Sequence, residues 1–118
     1  MILAEIGYDQ ITHDAGIAKI KAMKLRIIDQ IIRELCKLYF ALYGTDEYGI
    51  NRGLCQEFAN DVQDLMEWDT ANEADALWED EVGIKGEHCI IKHRDRYYDS
   101  QHPEGSTYDE LRQWEIWE

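Results

Sequence analysis

A thiol at Cys55, an imidazole at His88 and a carboxylate at Asp99 occur in that order, the first of them opening a periodic apolar segment. This combination can form a covalent bond with a substrate. A free cysteine titrates near about 8.5 and attacks only as the thiolate, so its surroundings must favour the anion. The first turn of a helix contributes unpaired N–H groups and the positive end of the backbone dipole. An imidazolium from His88 contributes more, and Asp99 can orient its ring through the second nitrogen. The backbone N–H of Cys55 and the side-chain amide of Asn51 are the candidate donors to an oxyanion. Negative charge from Glu57, Asp61 and Asp64 opposes the thiolate, so the pair with His88 must dominate. A second reading of the same residues is structural: cysteine is among the most buried residue types, and Cys55 falls on the core stripe of its helix.

The elements that must position these residues follow from periodicity. Cys55, Phe58, Ala59, Val62, Leu65 and Met66 recur at helical spacing, which predicts a helix with Cys55 in its first turn. Upstream, Asp14 as a cap, the stripe Ile28, Ile31, Leu35, Leu38 and Leu42, widened by Ile27, Ile32 and Tyr39, and Gly44 as a stop predict one long helix from 14 to 43. Residues 44–53, with three glycines, Asp46 and Asn51, read as a loop. Thr70 with Glu73 forms a capping-box pattern for a third helix carrying Ala74, Leu77, Trp78 and Val82.

Residues 87–93 and 96–100 are rich in Ile and Tyr and read as a β-hairpin around Arg94-Asp95. With a two-residue turn, Lys92 pairs with Tyr97 and Ile90 with Asp99, and His88 shares a face with Asp99. A three-residue loop puts them on opposite faces. Pro103 and Gly105 mark an exit loop, and Thr107 with Glu110 is a second capping box before Leu111 and Trp114. Trp114, Ile116 and Trp117 are expected to close the core. The expected architecture is a single α+β domain over residues 1–118, a long N-terminal helix and the cysteine-bearing helix packing on a small antiparallel sheet.

Gly53-Leu54-Cys55-Gln56-Glu57-Phe58-Ala59 resembles the Gly-x-Cys-x-x-Phe segment of papain-like cysteine proteases. The order of a cysteine at a helix start, a histidine opening a strand and an aspartate on the next strand is similar to the transglutaminase-like fold. Glu87-His88-Cys89-Ile90-Ile91-Lys92, Arg96-Tyr97-Tyr98-Asp99 and Pro103-Glu104-Gly105 are similar to segments of small phage and bacterial proteins of that type. The resemblance implies Cys55 as nucleophile, His88 as general base and acid, and Asp99 as orienting group, in a cysteine hydrolase or acyl-transferase acting on an amide of a protein or peptide. The chain departs from the papain pattern at Gly49, where a glutamine donor stands, and at Gln56, where an aromatic follows the cysteine.

The net charge of −13 is uneven. Residues 14–43 hold six Lys/Arg against three Asp/Glu, and 44–118 hold six against 20. From Glu57 to Glu81 there are ten acidic residues and no base. Such a surface repels nucleic acid and anionic membranes and leaves open an acidic interaction or inhibitor protein, mimicking nucleic acid toward a basic nucleic-acid-binding partner. The bases of the first 43 residues can face this acidic remainder, a second subunit or solvent. Three cysteines without a CxxC pair favour a reducing, cytoplasmic setting, and no apolar run suits a membrane span. His88, Cys89, His93, His102 and Cys55 match no zinc-module spacing, so no metal or other cofactor is expected.

Overall fold

The structure, a computed structural model, describes residues 2–66, 75–78 and 89–111. The chain is α+β: helices pack on a four-stranded antiparallel sheet. Among the described residues none of the helices is long and apolar enough to cross a membrane.

The expected single N-terminal helix is two. Helix α1 runs Ile2–Ala22 and α2 runs Ile28–Tyr43. Between them the Met23 and Lys24 amides bond back to Ile20 and Lys21 at 3.0 and 3.1 Å, and Lys24 takes a φ of 54°. Ile27 is then extended and 56% exposed, off the core stripe the sequence suggested. A non-glycine residue in the left-handed region costs roughly 1–2 kcal/mol. The break lets Ile17 and Ile20 of α1 enter the same core as Ile28, Ile31, Ile32, Leu35 and Tyr39 of α2, which one straight rod cannot do.

Gly44 ends α2 as expected, at φ 66° with its N–H on the Phe40 carbonyl at 2.9 Å. The following segment is helical rather than a loop. The Asp46 side chain accepts the Gly49 N–H at 2.9 Å and starts α3, Glu47–Gly53, a cap that outweighs the glycines over so short a run. Only Leu54 separates α3 from α4, Cys55–Met66. Its N–H bonds to Ile50 O at 2.8 Å and its carbonyl accepts from Phe58 at 2.9 Å, so the ladder carries across the junction. Phe58, Ala59, Val62, Leu65 and Met66 are buried, as their spacing predicts.

The strands are β1, Asp75–Trp78, β2, Cys89–His93, β3, Arg96–Asp99, and β4, His102–Ser106, in that spatial order. Leu77 and Trp78, assigned above to a third helix, lie in β1; Thr70, Glu73, Ala74 and Val82 fall outside the described residues. Cys89, Ile90 and Ile91 are all buried, which makes β2 an interior strand needing a backbone partner on each side. β1 supplies one, from Asp75 opposite Lys92 to Trp78 opposite Cys89. The other is β3, in the two-residue register: Ile91 faces Tyr98, Lys92 faces Tyr97, and Arg94 and Asp95 turn with φ of 51° and 66°. Positive φ at both central residues matches the twist of a hairpin.

Pro103 and Gly105, expected in a loop, lie in β4, an edge strand where proline's missing N–H costs no ladder bond. The β3–β4 register shifts between Tyr97 and Asp99, and Gly105 has a φ of 84° against the Tyr98 ring. The capping box forms as read. The Thr107 N–H reaches Glu110 Oε1 at 2.8 Å and the Glu110 N–H reaches Thr107 Oγ1 at 3.3 Å, opening α5, Tyr108–Leu111. The backbone and side-chain bonds from Thr107 hold the Glu110 carboxyl below its usual pKa. Trp114, Ile116 and Trp117 lie outside the described residues.

A polar knot joins the three longest helices. Asp61 Oδ2 of α4 accepts the Tyr39 hydroxyl of α2 at 2.6 Å and meets His13 Nε2 of α1 at 2.7 Å. His13 Nδ1 lies 3.1 Å from Asp14, so each ring nitrogen faces a carboxylate. Burial opposes charge on His13, but the bonds to Asp61 and Asp14 together outweigh it and raise the pKa. Burial, then the bond to Asp61, raises that of Tyr39. Nearby, Lys21 meets Asp64 at 3.1 Å, and Arg33 meets Glu104 at 3.3 Å, so basic residues of α1 and α2 do face the acidic remainder.

The His13 knot predicts a sign for stability against pH. A histidine raised above 6.5 in the fold contributes fully below that value and loses its contribution as pH rises through the folded pKa. Urea midpoints measured from about pH 6 to about pH 9 should therefore fall, and His13→Gln should flatten the slope. An equal slope in both proteins would remove His13 from the linkage.

Candidate functional site

Cys55 begins α4 and is half-buried against the core. Its sulfur accepts the backbone N–H of Cys89, the first residue of β2, at 3.3 Å. A donor aimed at sulfur favours thiolate over thiol. The other two thiols differ in setting. Cys89 is 3% exposed. Cys36 is buried on α2 with its Sγ 3.7 Å from the Ser100 carbonyl; burial, reinforced by Glu47 and Asp99, pushes its pKa up to about 12. All three are free of disulfides.

Asn51 and Asp99, both proposed from sequence, are in direct contact. Asn51 Nδ2 donates to Asp99 Oδ2 at 2.9 Å and to Gln101 Oε1 at 2.8 Å. Its two N–H groups thus face this pair, and the amide sits as a brace of Asp99. Ser100 Oγ lies 2.9 Å from Asn51 Oδ1 and 2.6 Å from the Glu47 carbonyl. The hydroxyl has one proton, so it serves these two acceptors in alternation. The carboxylate of Asp99 is what fixes the orientation of the Asn51 amide, since turning it over would set oxygen against oxygen.

Asp99 is 1% exposed, and its Oδ1 accepts the Gln101 N–H at 2.9 Å and meets His102 Nδ1 at 2.7 Å. His88, the imidazole assigned to Asp99 from sequence, lies outside the described residues. The His102 contact went unread, although a signal for it exists. Asp99 and His102 flank the two-residue turn Ser100-Gln101 and so face each other across β3 and β4.

Beside this corner a cavity of about 780 Å³ opens between α2, α3 and the start of β4, lined by Arg33, Cys36, Phe40, Glu47, Gln101 and Pro103 among others. Cys55 is not among its described lining residues. Among the described residues no group of three or more His, Cys, Asp or Glu is arranged to hold a metal ion. No family model, curated protein or solved structure matches this chain.

Two outcomes follow from these surroundings. Iodoacetamide on the native protein should label Cys55 first, with Cys36 and Cys89 labelled on unfolding, as read by peptide mass mapping. Asn51→Ala leaves a buried carboxylate short of a donor and should lower stability by about 2 kcal/mol in urea denaturation. A loss within error of zero would mean that water replaces the amide.

Proposed function

We propose that the protein is a small thiol hydrolase or acyl-transferase that cleaves an amide of a protein or peptide through a thioester on Cys55. The observation that carries this reading is the half-buried Cys55 sulfur at the start of α4, held on the N–H of Cys89, the residue that follows His88 in the chain. In the proposed reaction the thiolate attacks the carbonyl carbon, and His88, having taken the thiol proton, returns it to the departing amine. Water then releases the acyl group in hydrolysis, or a second amine does so in transfer.

The positions of the other residues refine their parts in this scheme. Asn51 is better suited to hold Asp99 in place than to donate to an oxyanion, because both its N–H groups already face Asp99 and Gln101. Backbone N–H groups at Cys55 and Cys89 take the oxyanion role instead. The Cys89 N–H, which meets the sulfur before attack, turns in this scheme to the oxyanion that forms as the S–C bond is made. Free thiols suit a reducing, cytoplasmic setting.

A second reading, an acidic protein that occupies a basic groove, rests on the net charge of −13. Two acids of the Glu57 to Glu81 stretch, Asp61 and Asp64, are turned to Tyr39, His13 and Lys21 within the fold. These two are engaged within the fold.

The test is the pH dependence of Cys55 alkylation in a Cys36→Ser, Cys89→Ser background, with and without His88→Ala. The reading expects a thiolate reactive well below about pH 8 and slowed by loss of His88. An ordinary thiol, indifferent to His88, would make Cys55 a core residue. Binding to a basic partner that weakens steeply with salt and survives Cys55→Ala would then support the acidic reading.

A further inference from the structure

We infer that Cys55 and Cys89 are a redox pair, joined reversibly by an intramolecular disulfide that a hydroperoxide induces. The bond itself stands apart from the proposed function; its effect, withdrawal of the nucleophile, rests on that reading.

The geometry comes from one contact and the packing around it. A sulfur 3.3 Å from the Cys89 nitrogen is at most about 4.8 Å from the Cys89 Cα, since the N–Cα bond is about 1.46 Å. Disulfides form when the two Cα atoms stand roughly 4.4–6.8 Å apart, each sulfur lying near the other residue's backbone. Cys89 belongs to the hydrophobic core and Cys55 packs against that core, with α4 seated on β2. Cys36 is held elsewhere, on the Ser100 carbonyl.

The two thiols differ in the way such a pair requires. Cys55 is half-buried and can meet a small oxidant, with an N–H at its sulfur to favour the thiolate. Cys89 is 3% exposed and so shielded from an oxidant in solution. The Cys55 thiolate attacks one peroxide oxygen, the O–O bond breaks, and hydroxide or an alkoxide leaves. Sulfur becomes a sulfenic acid, oxidised by two electrons as the peroxide is reduced. The Cys89 sulfur then attacks the sulfenic sulfur; the S–S bond forms, the S–O bond breaks, and the departing hydroxide takes the Cys89 proton as water. A dithiol reductant reverses the bond by exchange.

The experiment treats the full chain with hydrogen peroxide, quenches it with iodoacetamide, and maps peptides without reduction. The inference expects a peptide of Cys55 linked to one of Cys89, an intact mass lower by two hydrogens, Cys36 still free, and return of Cys55 alkylation after dithiothreitol. A higher melting temperature in the oxidised form should accompany the link, because it constrains the unfolded chain. In Cys89→Ser the sulfenic acid should persist and be trapped by dimedone. Over-oxidation of Cys55 in the wild-type chain without a link, or a link formed only between molecules or to Cys36, would overturn the pair. A link at Cys55 whose alkylation in reduced protein shows an ordinary, His88-independent pH profile would keep the redox pair and remove the proposed function. An activated Cys55 without a link would do the reverse.

Discussion

A carboxylate that is 1% exposed must be met by donors, and the corner of the fold around Asp99 is built to that requirement. An unpaired buried charge costs several kcal/mol, so chain segments that can supply N–H groups are drawn to it. Asn51 comes from α3, Gln101 from the β3–β4 turn and His102 from β4. Ser100, between them, ties the same turn to the Glu47 carbonyl at the start of α3. Helix and sheet are thereby joined at one point by polar contacts in addition to apolar packing. The hydrogen-bond ladder passes from α3 through Leu54 into α4, so Asn51 and Cys55 lie on one continuous stretch of bonded backbone.

Asp61 solves the same problem within the helical layer. Its oxygen meets a phenol from α2 and an imidazole from α1, and the imidazole reaches a second carboxylate on its far side. The apolar contacts of Ile17, Ile20, Leu35, Tyr39, Phe58 and Val62 supply area without direction. The polar knot supplies direction, fixing the rotation of α1 on its neighbours.

The features legible in the sequence are those fixed by local chemistry. The stripe from Phe58 to Met66, the glycine stop at 44, the Thr107 and Glu110 box and the two-residue turn at Arg94-Asp95 each depend on residues within a few positions of one another. The features that escaped depend on distant partners. Nothing between 22 and 28 punctuates the helix, since no glycine or proline stands there; the break exists because two helices share one core. Asp75–Trp78 is a strand because β2 is buried and needs a neighbour, which helical spacing in that stretch cannot reveal. Pro103 sits in β4 because the strand is an edge, a property of the sheet and not of the proline. For the site, Cys55 at a helix start was readable, whereas the link of Asn51 to Asp99 joins residues 48 apart and has no local signature.

The acidity of the chain and the chemistry of its thiol act on different length scales. A net charge of −13 disfavours any anion, a thiolate included. At physiological ionic strength, however, exposed charges more than about 8 Å away are largely screened. Within that radius the Cys89 N–H at 3.3 Å favours the anion, whereas Asp61 and Asp64, six and nine residues further along α4, stand roughly 9 and 14 Å away by helical rise. Both are also countered locally, Asp61 by His13 and Asp64 by Lys21. The fold thus removes part of the negative field along the helix that carries the thiol. An acidic exterior therefore leaves the surroundings of the Cys55 sulfur to local donors.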